Sequence, residues 1–216
     1  NMVTAIELSP RRAEINAHRN KSNKNLEIIV GNLQSIKPDE KFDYVICIGV
    51  LEYSGKYIDG NNPYLTFLKN LQSFIKPDTG TLLLAIENKF GLKYWSGSKE
   101  DHTGRLFDSI NDYPLNDGIK TFTKSELNSL LNLAGFKDFY YYYPHPDYKM
   151  PKQIFSDDYL PGVNGVTFPL DNLPSPSLDR DRFDLFSEQL AMKGIVSDGR
   201  YDFFANSFLV EAKNAI

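Results

Sequence analysis

Residues 3–10 read VTAIELSP. Val3, Ala5 and Ile6 give a short apolar run that ends on one acid, Glu7. Ser9-Pro10 follows, a helix N-cap with proline at the first helical position. The run therefore predicts a strand over residues 3–8, a carboxylate at its end, and a helix over residues 11–20. NLEIIVGN supplies a second strand over residues 26–30, closed by Gly31-Asn32. KFDYVICIGVLEY is the most apolar stretch and predicts a strand over residues 44–49 buried on both faces. Asn62-Pro63 starts a helix whose stripe is Tyr64, Phe67, Leu68, Leu71, Phe74 and Ile75. TLLLAIEN is the next strand, and residues 89–121 are irregular. Thr123 and Glu126 form a capping box for a helix that Gly135 ends. FKDFYYYY is a strand in which the tyrosines alternate between faces. Residues 144–177 read as loop, 179–193 as helix and 201–212 as a final strand. Alternating strands and helices imply an α/β fold with a mainly parallel sheet. In such sheets ligands bind beyond the carboxyl ends of the strands.

The 216 residues suffice for one domain, 1–216, with one sizeable core. A net charge of −4 argues against a nucleic-acid partner, which needs a basic footprint. The longest apolar run, residues 44–51, is too short for a membrane span. The single cysteine, Cys47, lies inside that run, so it reads as a small core residue. One cysteine allows no intrachain disulfide, which fits a cytoplasmic location.

Four segments occur in order: AIELSP, VGNLQSI, FDYVICIGVLEYSG and FLKNLQSFIKPDTGTLLLAIEN. Together they resemble the class I S-adenosylmethionine-dependent methyltransferases, a Rossmann-like fold, from that family's second strand onward. The resemblance covers residues 3–136. It implies S-adenosylmethionine as cofactor. It places the ribose on Glu7, with Leu8 beside it, and the adenine on Asn32 and Leu33. It places the methionine end and the acceptor along Gly49, Val50, Glu52 and Tyr53. On position alone, Glu7 is either that ribose ligand or a solvated strand-end charge. Asn32 stands where the family often has an aspartate. The family's glycine-rich turn and first strand, which precede the acid, are not in this sequence. The resemblance therefore implies an amino-terminally truncated chain. The family's strand order, 3-2-1-4-5-7-6, would then lack its central member and keep an antiparallel last strand. Weak cofactor binding, or none, by the chain as given is expected.

A narrower resemblance lies in IENKFGLKYWSGSKEDHTG and YPHPDYKMPKQIFSDDYLP. These are similar to methyltransferase domains associated with bacterial glycosyltransferases of surface-polysaccharide (lipopolysaccharide) synthesis. That implies a sugar or glycan acceptor and a fused or neighbouring glycosyltransferase as partner. The two irregular segments, 89–121 and 144–177, would form a cap on the acceptor side.

Methyl transfer to a hydroxyl needs an in-line arrangement and a way to remove a proton. His102 in KEDHTGR is the candidate base, oriented by Asp101 or another carboxylate, with Arg105 close by. It is otherwise an exposed loop histidine, and the role falls to Glu52, Glu87 or water. Asn88, Tyr94 and Trp95 are the remaining acceptor candidates. The two rings either stack on a sugar or pin the loop to the core. His145 is expected at the sheet edge, and His18 on the surface of the first helix. No metal is expected, because no carboxylate–histidine spacing recurs. The leading expectation is O-methylation of a sugar or glycan. The alternative is a non-catalytic, degenerate methyltransferase-fold module within a larger polysaccharide-assembly protein. An NAD-dependent oxidoreductase shares the strand-end acid but leaves VLEY and KPDTG unexplained.

Overall fold

The structure is a computed structural model that describes residues 2–37, 40–163 and 182–214. The chain divides into two compact units, Asn1–Lys41 and Phe42–Ile216.

The first unit is a βαβ element. Strand β1 (Val3–Glu7), helix α1 (Pro10–Arg19) and strand β2 (Leu26–Val30) follow one another. β1 and β2 pair in parallel, with Val3 opposite Leu26 and Glu7 opposite Val30. The Ser9 hydroxyl accepts from the Arg12 amide and Pro10 occupies the first turn, the start expected from the sequence.

The second unit holds β3 (Tyr44–Ile48), α2 (Ser54–Tyr57), α3 (Pro63–Ser73), β4 (Thr81–Glu87) and α4 (Leu92–Trp95). It continues with α5 (Lys124–Ala134), β5 (Phe136–His145), β6 (Gln153–Ser156), α6 (Glu188–Ser197), α7 (Tyr201–Phe204) and β7 (Ser207–Asn214). Its sheet runs in the order β3-β4-β7-β5-β6. β3 and β4 are parallel, and β7 lies antiparallel between β4 and β5. Numbered as in the resembled family, the two units contain the strand orders 3-2 and 4-5-7-6.

Burial follows from position in this sheet. β4 is flanked on both sides, and Leu82, Leu84 and Ile86 are fully buried. They meet a core that includes Phe208, Val210, Ala212, Leu68, Leu127 and Leu131. Tyr141 and Tyr143 point into this core while Tyr140 and Tyr142 face the other side, the alternation expected of FYYYY. β3 departs from expectation. Cys47 is buried, but Tyr44, Ile46 and Ile48 are 54–65% exposed. Among the described residues β3 pairs only with β4, so its apolar run is that of an edge strand.

The carboxyl-terminal third was read less well. The loop expected over 144–177 contains β6, and its residues 164–177 lie outside the described residues. The expected helix over 179–193 starts outside them too, and α6 instead begins at Glu188. There the Ser187 hydroxyl accepts from the Leu190 amide and caps the helix. The strand expected from residue 201 begins at Ser207. Tyr201–Phe204 is a helical turn because Tyr201 packs edge-on against Phe155 and Tyr143. Asn88 Nδ2 donates to the Phe203 and Ala205 carbonyls, 2.7 Å each, and fixes where that turn ends.

The capping box of α5 is present in full. The Thr123 hydroxyl accepts from the Glu126 amide at 3.2 Å, and Glu126 Oε2 accepts from the Thr123 amide at 2.8 Å. Gly135 ends the helix at φ 106°. Thr123→Ala should therefore cost about 1 kcal/mol. Urea unfolding followed by circular dichroism reads this as a lower midpoint with an unchanged slope. An unchanged midpoint would mean the cap is satisfied another way.

Candidate active site

The parallel pair β3–β4 brings two acids to one place. Gly49 leaves β3 at φ 62°, and a helical turn, Leu51–Tyr53, carries Glu52. Glu87 is the last residue of β4. Both are buried, Glu52 at 1% and Glu87 at 0% exposure. His102 reaches them from the loop after β4. Its Nε2 lies 3.1 Å from Glu52 Oε1 and 3.6 Å from Glu87 Oε2. Its Nδ1 lies 2.8 Å from Glu100 Oε1. Tyr53 meets the imidazole edge-on, with ring centroids 5.1 Å apart.

Glu100 is itself held firmly. Its Oε2 accepts from the backbone amides of His102 (2.8 Å) and Thr103 (2.6 Å). The Tyr113 hydroxyl, 2.6 Å from Thr121 Oγ1, lies 3.2 Å from Glu100 Oε1. Burial raises the Glu100 pKa, but these bonds and the His102 charge outweigh it, so the net direction is down. Burial disfavours a charged His102, but hydrogen bonds to Glu100 and Glu52 and the charge of Glu87 raise it to about 10. Burial pushes Glu87 above the carboxylate range, against the pull of Lys93, His102 and Lys149.

A second layer surrounds the cluster. Lys149 pairs with Glu87 Oε1 and, at 2.8 Å, with Asp101. Lys93 pairs with Asp101 at 2.9 Å and Asp147 at 2.7 Å. The Tyr148 hydroxyl packs against Gly49, where a Cβ would lie 2.7 Å from it. A side chain at 49 is thus barred by close approach as well as by backbone conformation.

Asp101 therefore faces two lysines, and Glu100 holds the histidine. Burial raises the Asp101 pKa, but Lys93 and Lys149 draw it far down. Arg105 is engaged by Asp108 (2.6 Å) and Asp117 (3.0 Å). Asn88 spends its side chain on backbone groups, with Oδ1 accepting from the Phe90 amide. Tyr94 is fully buried and pins the loop, whereas Trp95 is 39% exposed and donates its Nε1–H to the Phe90 carbonyl. His145 is buried in β5 rather than at the sheet edge, because β6 adds a further strand outside it. His18 lies on the surface of α1. Burial, with a smaller effect of Glu52, pushes the Cys47 thiol up to about 12, as suits a core residue.

In the first unit, the Ser9 amide donates to Glu7 Oε1 at 2.8 Å and steadies that carboxylate at the end of β1. Leu8 is exposed beside it. Asn32 Oδ1 accepts from the Gln34 amide at 3.4 Å, and Leu33 opens the turn that it caps. A strand-end carboxylate, an amide and adjacent apolar side chains are a donor set that fits an adenosine.

Residues 1–80 match a family model described as a methyltransferase domain. The structure is similar to an S-adenosylmethionine-dependent methyltransferase of Thermotoga maritima, a possible histamine N-methyltransferase. The two share 14% identity over 98% of this chain and 72% of that one, with a TM-score of 0.53. The fold is that of a methyltransferase. A possible exported protein of Bordetella parapertussis matches at 10% identity, 99% of this chain, 54% of that one and TM-score 0.51. The CurJ carbon methyltransferase matches at 11% identity, 100% of this chain, 42% of that one and TM-score 0.50. The chain thus spans 54% and 42% of these two proteins, less than two thirds of either. No curated protein matches it. Among the described residues no helix is long and apolar enough to cross a membrane.

Sequence reasoning missed Glu100, Lys93, Tyr113, Asp147 and Lys149, and held Glu87 in reserve. Glu87 ends an apolar strand as Glu7 does, and that shared pattern could have put it first. The others sit in irregular segments, where sequence periodicity carries no signal.

Proposed function

We propose that this chain is an S-adenosylmethionine-dependent methyltransferase whose acceptor is a hydroxyl of a sugar or glycan. The observation that carries the reading is the buried Glu52–Glu87–His102 cluster at the carboxyl ends of β3 and β4. Glu7, Leu8, Asn32 and Leu33 bind the adenosine, while Gly49, Val50 and Glu52 line the methionine end. The cofactor supplies an activated methyl group. An acceptor hydroxyl oxygen would take that methyl group and give up its proton. The acceptor proton passes to a carboxylate of the cluster, Glu52 or Glu87, beside the His102 ring, which its three acids keep charged at neutral pH and Glu100 holds in place. Trp95, exposed and braced by Phe90, is the surface for a sugar ring. A glycosyltransferase of surface-polysaccharide synthesis is the partner that would supply such an acceptor.

The test uses labelled S-adenosylmethionine with a panel of glycans and amines, and locates the methyl group by NMR. Methyl ethers on a sugar support the reading. Methylated nitrogen would reassign the acceptor class. Cofactor binding without turnover on any acceptor would favour the non-catalytic module.

A further inference from the structure

We propose that Glu52, Glu87 and His102 form a site for a divalent first-row transition cation. The three donors come from separate segments, the turn after β3, the end of β4 and the loop beyond it. That is why no ligand spacing appears in the sequence. One oxygen from each acid and the imidazole Nε2 lie within 4.8 Å of one another. The two distances from Nε2, 3.1 Å to Glu52 and 3.6 Å to Glu87, are informative. Bonds of about 2.1 Å at octahedral to tetrahedral angles separate neighbouring ligand atoms by roughly 3.0–3.4 Å. The two separations from the imidazole are already near that spacing, and the two acids need close on each other only from within 4.8 Å.

A second observation is independent of the clustering. Among the described residues Glu52 Oε2 and Glu87 Oε2 are buried and make no hydrogen bond, in side chains 1% and 0% exposed, and the His102 ring stands 3.6 Å from Glu87 Oε2. Buried carboxylate oxygens without partners are costly, and a cation is the ligand that satisfies two of them together. The orienting group is in place as well. Glu100 accepts at His102 Nδ1, fixed by two backbone amides and the Tyr113 hydroxyl. A carboxylate on the far nitrogen is the usual support of a metal-bound histidine.

The donor set fixes the class of ion. Two carboxylates and one imidazole lie between the all-oxygen sites of Mg²⁺ or Ca²⁺ and the sulfur-rich sites of structural zinc, which suits Mn²⁺, Fe²⁺ or Zn²⁺. Three protein ligands leave open positions that an acceptor oxygen can take. That last use of the site rests on the function proposed above, whereas the site itself does not. The neighbouring acids Glu87, Asp101 and Asp147 also cluster, but Lys93 holds Asp101 and Asp147 and Lys149 holds Asp101 and Glu87 Oε1, so the oxygen Glu87 offers the proposed site is Oε2.

The experiment is a Mn²⁺ titration of the protein without cofactor or acceptor, read by loss of the free-ion electron paramagnetic resonance signal. Zn²⁺ competition runs in parallel. One equivalent of Mn²⁺ should bind. Glu52→Gln and Glu87→Gln, each near-isosteric, should abolish binding, and Asp101→Asn should leave it. Glu100→Gln should weaken it about 10- to 100-fold, the usual effect of removing an outer-shell partner. Circular dichroism checks that each variant is folded. Absence of binding by both ions, or binding that survives both Gln variants, would overturn the site. Because no methyl transfer is measured, a failure of the proposed function leaves this result standing, and the converse also holds.

Discussion

His102→Ala lowers methyl transfer by about 10²–10⁴-fold, the span expected when a proton-handling group is removed. The expectation rests on placement. His102 meets Glu52, Glu87 and Glu100 at once. Its removal leaves three buried carboxylates without the group that links them. Whether the acceptor proton passes to the cluster directly or through a bound cation, the imidazole is needed. Affinity for S-adenosylmethionine should change little, because His102 lies outside the segments assigned to the cofactor. Turnover with radiolabelled cofactor, beside calorimetric cofactor binding, separates the two quantities. Full activity in the folded variant would move the role to Glu52, Glu87 or water. A joint loss of turnover and cofactor affinity would make His102 a structural residue.

Glu7→Ala weakens S-adenosylmethionine binding about ten- to a hundred-fold. A hydrogen bond to a charged group is worth roughly 1.5–3 kcal/mol. Glu7 Oε1 is steadied by the Ser9 amide at 2.8 Å, so the carboxylate is already oriented at the strand end before a ligand arrives. Glu7→Gln keeps one accepting oxygen and the same shape, so its loss should be smaller than that of the alanine variant. Calorimetry showing equal affinity in all three proteins would remove Glu7 from the ribose role.

The sequence is most legible where local chemistry repeats a known physical pattern. Ser9-Pro10, the Thr123–Glu126 box and Gly135 marked helix ends because each satisfies backbone groups that its neighbours cannot. Strand β4 was legible because five apolar residues in a row, Leu82–Ile86, need burial on both sides. β3 reads the same way and is an edge strand, since periodicity reports apolarity but not the number of neighbours. The candidate site was half legible. Glu52 and His102 could be named from position and residue type. Glu100 could not, because its role depends on a loop that folds back to present two amides to one carboxylate. The ion pairs of Arg105 and Asp101 were not legible for the converse reason. Nearby charges in sequence, Asp108 for the arginine and Lys93 for the aspartate, claim them first.

Direct calorimetric titration of the protein with S-adenosylmethionine, and with NADH as a comparison, tests the central claim most closely. The account predicts saturable binding of S-adenosylmethionine that Glu7→Ala weakens, and none of NADH. Binding of NADH in its place would contradict it.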